Sequence, residues 1–414
     1  MRHRWAAAPM AALILVTACQ GGGDASEAPG SGADGGGTAI DEDSISGEVR
    51  LSGGRASDTE EALLEETIAA FEEKYPNITV NYEPIPEAYA ETMIGQFSAG
   101  EPPDLFYVGA TGEAAPWMDD DLLLPLDDYI AGNPEIGIDH FYPGLLSPFQ
   151  RDGSTYGLPK DASPLALFVN PDMLAEADVE VPTNWDELEA AAEALTTDDV
   201  AGLCMGPEIQ RWGAFIYQNG GSLYNEDLTE MTLDSPETVE ALDYLLGLHE
   251  AGSLQTHTEI GAGWCGEAFG TGQAAMTIEG NWLVPSMENE FPDVPYEIAE
   301  LPQGVQPGNL AFTVAYSIGQ DSANKDQAWV LLQYLAGQEG MAKWTSLGLA
   351  LPARDDVEPA ENREALVAGL EYATAYGFPS DWIDVQDAFN NKLTEVLESG
   401  GTGQEIVDAA VAAQ

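Results

Sequence analysis

The side chains that could do chemistry in this chain are unevenly supplied. Nine Trp, fifteen Tyr and seventy-two Asp plus Glu stand against thirteen Lys plus Arg, four His and three Cys. Aromatic faces and carboxylates are therefore plentiful, and basic or metal-ligating groups are scarce. No Gly-x4-Gly-Lys-Ser/Thr string occurs, so the chain carries no phosphate loop for nucleotide hydrolysis. No Gly-x-Ser-x-Gly elbow occurs, and His249-Glu250 lacks a second His at the zinc-peptidase spacing. The glycines of "GEAFGTG" adjoin no dinucleotide fingerprint. Neither a cofactor nor a metal is expected, and the chain does not read as an enzyme. Acid pairs such as Asp127-Asp128 arise by chance at this composition and argue for no acid–base catalyst.

The basic start Met1-Arg2-His3-Arg4, a mostly apolar run to Ala18 and then Cys19 describe an export signal. That run is shorter than the ~20 apolar residues of a membrane span. Val16-Thr17-Ala18-Cys19 resembles a bacterial lipobox, which implies cleavage after residue 18 and lipidation of Cys19. Residues 19–46 are then a Gly-, Ser- and Asp-rich flexible tether, poor in large apolar groups. The remainder exceeds the usual size of one core, so two lobes are expected. Outside the cytoplasm, Cys204 and Cys265 suggest one disulfide, the alternative being two buried thiols. A formal charge of −59 would repel nucleic acid and anionic membrane surfaces. It is also a charge that salt would screen.

Strand and helix periodicities alternate over the first half. Val49–Leu51 and 78–82 read as strands, 59–74 and 88–99 as helices, and the apolar run 105–108 as a third strand. That order predicts an α/β fold with a mixed sheet covered by helices. Ligands of such sheets bind beyond the strands' carboxyl ends, so loops 52–57 and 109–113 are the first site candidates. Arg55, beside Gly53 and Gly54, and Thr111 with Gly112 lie in them. Trp264, in "GAGWCGEAF", sits among glycines beside a half-cystine candidate, as plausible a cleft wall as a core residue. Residues 274–278 and 312–318 read as strands, and 324–336 as a strongly amphipathic helix.

Six segments in order, "AAFEEKYPNITVNYE", "GEPPDLFYVG", "YGLPKDASPLALFVNPDML", "VPTNWDELEAAAEAL", "GQAAMTIEGNW" and "NKDQAWVLLQYLAGQEGMAKWTSLGLALPAR", give the chain its resemblance to a known family. It resembles the extracellular solute-binding proteins of ABC importers, in the sugar-binding family that includes maltose-binding protein. The resemblance implies a two-lobed periplasmic-binding-protein-like fold, type II, with the ligand cleft at the hinge. Lobe 1 would comprise 47–162 continued by 310–350, and lobe 2 would comprise 163–309 continued by 351–414. A carbohydrate would bind between them and be passed to membrane permease subunits with their ATPase. The protein is read as a monomer, lipid-anchored outside the cell membrane.

The resemblance also places ligand contacts. Trp282 matches an aromatic that stacks on sugar, with Asn281 beside it. Asp161 matches an acidic sugar contact before the hinge, and Arg211 with Trp212 an aromatic-rich loop of lobe 2. Thr313 and Tyr316 lie by the second hinge, and Arg354 ends "LPAR". Trp382 lies where some members place a stacking aromatic, although helical core packing is its favoured fate. Two other readings stay open: the same fold binding a polyamine or another small solute, and a tethered glycoside hydrolase with two carboxylates flanking the cleft.

Overall fold

The computed structural model describes residues 37–414 except 43, 55–57, 226–227 and 380; the leader, Cys19 and Arg55 lie outside the described residues. No described helix is long and apolar enough to cross a membrane.

Gly47–Gly54 pairs in parallel with Ile78–Ile85 on one side and with Leu105–Gly109 on the other. Val314–Ile318 runs antiparallel to Leu105–Gly109, and Leu158–Pro159 pairs with its far edge. These five strands form one sheet among the described residues. Seven others form a second, in the order Ala373–Ala375, Asn309–Phe312, Ser163–Val169, Ala274–Gly280, Ala201–Cys204, Leu254–Gln255, with Glu297–Ala299 also on Ser163–Val169. The chain thus passes between the sheets at 160–162, returns at Thr313, and passes again between Ile318 and Ala373. The single strand expected over 312–318 is broken there, because Phe312 pairs in one sheet and Val314 in the other.

The strand Ser163–Val169 shows why the sequence folds this way. Its apolar run is continuous, the mark of a strand covered on both faces. Leu165, Leu167 and Val169 face one buried cluster, Ala166 and Phe168 another. Helices cover the sheets with local signals. Ser235 accepts from the Thr238 amide ahead of Pro236–Glu250, and Asn184 from the Glu187 amide ahead of Trp185–Leu195. The expected amphipathic helix is Lys325–Ala336, but eight of its twelve residues are buried, so packing surrounds it. Cys204 and Cys265 are bridged, with Cα atoms 5.5 Å apart, fastening a strand of the second sheet to the helix Cys265–Gly270.

One expectation is corrected at the N-terminal end. Residues 37–42 are not free tether. The Thr38 amide donates to Asp128 O at 2.7 Å, Asn133 Nδ2 donates to Thr38 O at 3.0 Å, and the Tyr75 hydroxyl donates to Glu42 at 2.9 Å. These bonds give a polar stretch the partners that its composition alone does not reveal.

Candidate functional site

A cavity of about 350 Å³ lies where the chain crosses between the sheets. Gly109–Thr111, at the carboxyl end of Leu105–Gly109, form one side together with Glu60. Asp161–Ser163 and Phe312–Val314 bring two of the crossings into it, and Trp282 and Tyr376 reach it from just beyond strands of the second sheet. Leu349 and Ala350 complete the wall. A larger open hollow of about 520 Å³ lies against the helix Trp185–Leu195. Its carboxylate Glu187 is already taken by the Thr183 amide and hydroxyl, and it lies away from the crossings.

The first-sheet side is charged. Lys160 is buried, donates to Asp161, and lies 4.4 Å from the Trp344 ring centre and 5.0 Å from that of Tyr107. Two rings and one carboxylate thus stabilise an ammonium that burial alone would penalise. Burial raises the Glu60 carboxyl above its ordinary range, Lys160 opposes that rise, and Asp161 adds to it. The Thr313 hydroxyl donates to Asp161 O at 2.7 Å, fixing the backbone beside that carboxylate.

The second-sheet side is aromatic. Trp282 and Phe312 meet edge to face with ring centres 5.5 Å apart, and Phe312 lies 5.5 Å from Tyr376. Behind Trp282, its indole N–H donates to Glu279 at 2.9 Å, Arg211 donates to the same oxygen at 2.8 Å, and the guanidinium lies 4.9 Å from the ring centre. Burial raises the Glu279 carboxyl, opposed by Arg211 and the indole N–H. Thr111 joins the two sides, its hydroxyl donating to Tyr376 O.

Of the residues singled out from sequence, Thr111, Asp161, Thr313 and Trp282 line the cavity. Arg211 supports Trp282 from behind. Five expected contacts are corrected. Asn281 is fully buried and donates to Gly348 O and Leu349 O, both at 2.9 Å, so it fixes the wall segment instead of lining the cavity. Trp212 is fully buried in the second core with its indole N–H on Gly206 O; its helix places Ile209, Trp212, Phe215 and Ile216 on the core face. Trp264 lies over Gly266, where an added Cβ would meet its ring at 2.2 Å, and packs on the core. Tyr316 is buried edge-on to Tyr107 with ring centres 5.4 Å apart. Arg354 is buried, bonded to both oxygens of Asp356 at 2.8 Å and to Ile136 O, away from the cavity. Trp382 is core, edge-on to Tyr376 and tilted against Phe378.

Sequence reasoning missed Glu60, Phe312, Tyr376 and the Lys160 box. Phe312 and Lys160 adjoin residues that were named, so the crossings were the available signal. Glu60 and Tyr376 carried none.

Three comparisons bear on this arrangement. The family model for bacterial extracellular solute-binding proteins matches residues 56–342. A Brucella abortus (strain 2308) protein described as a binding protein is 28% identical over 383 residues, 88% of this chain and 92% of the relative. Among solved structures, an ABC substrate-binding protein from Listeria monocytogenes in complex with cycloalternan is 26% identical, covers 89% of this chain and 98% of its own, and superposes with a TM-score of 0.76. The sugar-binding protein MalE of Xanthomonas citri, 22% identical, covers 88% and 95% at a TM-score of 0.79. These likenesses show the type II periplasmic-binding-protein fold expected from the sequence.

Proposed function

Because the chain belongs to the bacterial extracellular solute-binding protein family, we propose that it captures a neutral carbohydrate in the cavity at the sheet crossings and delivers it to an ABC permease. The observation that carries this reading is the composition of the cavity wall. Trp282, Phe312 and Tyr376 stand on one side, Asp161, Glu60 and Thr111 on the other. A sugar offers an apolar C–H face and hydroxyls around its rim. Rigid rings bury the first at little entropy cost, and carboxylates and hydroxyls accept or direct the second. The Listeria neighbour's cycloalternan complex and the Xanthomonas neighbour's description as sugar-binding support the same ligand class.

The two sheets define two lobes that close over the ligand; the boundary expected at 310 moves to Thr313, because Asn309–Phe312 pairs in the second sheet and Val314–Ile318 in the first. Closure follows from a ligand's greater affinity for the closed form. Cys19 carries the lipid anchor after removal of residues 1–18, the protein works as a monomer, and it performs no chemistry on what it binds.

The test is thermal unfolding of the whole chain against neutral oligosaccharides, polyols and polyamines. A ligand at 100 times its Kd adds about 2.7 kcal/mol and raises the melting temperature with concentration. A neutral oligosaccharide is expected to do so and to be recovered unchanged. A response to polyamines alone would replace the carbohydrate reading, and turnover of the sugar would replace the transport reading.

A further inference from the structure

The tetrapeptide Glu279-Gly280-Asn281-Trp282 does more than deliver one aromatic. Four residues meet the indole around its place at the cavity. Its N–H donates to Glu279 Oε2 at 2.9 Å. Arg211 donates to that same oxygen from Nη2 at 2.8 Å and from Nε at 3.2 Å, and its guanidinium lies 4.9 Å from the ring centre. The benzo edge rests on Gly280, where an added Cβ would be 2.2 Å from Cζ3. Phe312 meets the ring edge-on at 5.5 Å.

We propose that Glu279 and Arg211 are positioning residues for Trp282, holding the indole in one orientation so that the cavity finds its plate already placed. This rests on the reading of the cavity as a carbohydrate site. The chemistry of the pair favours such a role over simple stabilisation. Glu279 is 3% exposed and Arg211 has a side chain 14% exposed. A buried ion pair of this kind is often replaceable by apolar groups of similar volume with no loss of stability. What apolar groups could not reproduce is an acceptor aimed at the indole N–H and a flat cation against one face of the ring. With that face covered, a ligand can stack only on the other. Because the ring is placed before binding, the cost of ordering it does not subtract from affinity. Gly280 belongs to the same device, since any side chain there would push the plate off its strand.

The experiment uses the whole chain and three variants: Glu279→Leu, Glu279→Gln, and the double variant Arg211→Met with Glu279→Leu. The double variant leaves no buried charge unpaired, so it stays folded if the single Leu variant does not. Calorimetric titration uses the member of a panel of maltose, cellobiose, raffinose and maltotetraose that most raises the wild-type melting temperature. Near-ultraviolet circular dichroism of each ligand-free protein, against Trp282→Phe as reference, isolates the Trp282 band. The double variant is expected to bind at least about tenfold more weakly with an altered Trp282 band. Glu279→Gln, which keeps an acceptor for the indole, is expected to stay within about threefold of wild type. Wild-type affinity in a folded double variant, or an unaltered Trp282 band, overturns the positioning role. If wild type binds none of the four sugars, the carbohydrate reading fails for this panel, and the Trp282 band alone decides the positioning role.

Discussion

The two walls of the cavity use the same three groups in opposite order. On the first-sheet side a cation, Lys160, backed by the rings of Tyr107 and Trp344, supports the carboxylate that lines the cavity. On the second-sheet side a cation, Arg211, paired with the buried carboxylate of Glu279, supports the ring that lines the cavity. One wall hides its aromatics to present a charge; the other hides its charges to present an aromatic. The difference teaches that neither cation is a ligand donor in the structure described. Each is tied to its own wall, and the cavity meets a carboxylate and a plate. A neutral ligand with hydroxyls and an apolar face fits that pair of surfaces better than an anion would.

The comparison breaks most visibly at Lys160. Lys160→Met leaves Asp161 without its partner in a poorly solvated place and is expected to cost about 3 kcal/mol of stability, read from denaturant midpoints. A loss under about 1 kcal/mol would mean that the ammonium is not what holds the carboxylate. On the opposite wall, Phe312→Ala removes an edge contact to Trp282 and a ring from the lining. It should weaken sugar binding about tenfold, or ~1.4 kcal/mol, while leaving the first wall intact. Unchanged affinity would confine recognition to Trp282 and Tyr376. Thr111→Val tests the link between the walls, since its hydroxyl donates to Tyr376 O. About 1 kcal/mol of affinity should be lost if that bond forms in the bound state, and none if it does not.

The smallest effect is in pH. Burial raises the Glu60 carboxyl above its ordinary 4.5. The folded state therefore holds a proton that the unfolded state has released over the interval from 4.5 to that raised value. Stability contributed by this group is present below the interval and falls as pH rises through it. Glu60→Gln should flatten that fall in a pH series of unfolding free energies; an unchanged slope would remove Glu60 as its source.

Much of the scaffold was legible in the sequence because its signals are local. Strand runs at 49–51, 78–82 and 105–108 and the helix periodicities at 59–74 and 324–336 all act through neighbours in the chain. The cavity was legible only where a turn followed a strand, as at Thr111 and Trp282, or where a crossing was anticipated, as at Asp161. Glu60 gave no contrast against seventy-two acids. Tyr376 reaches the cavity through pairing of Ala373–Ala375 with Asn309–Phe312, a contact made across more than sixty residues of chain. Trp212 was misassigned although its spacing with Ile209, Phe215 and Ile216 marked a buried helix face. Arg354 looked available because nothing in its type shows that Asp356, two residues on, binds it with both oxygens.

The central claim, that the cavity takes a carbohydrate against Trp282, is tested most directly by titrating wild type and Trp282→Ala side by side with the oligosaccharide that best stabilises the wild type. Losing one large stacked ring should weaken binding about 100-fold, ~2.7 kcal/mol, with the variant's melting temperature read alongside because the ring is partly buried against the second core. Equal affinity in the two proteins would contradict the account.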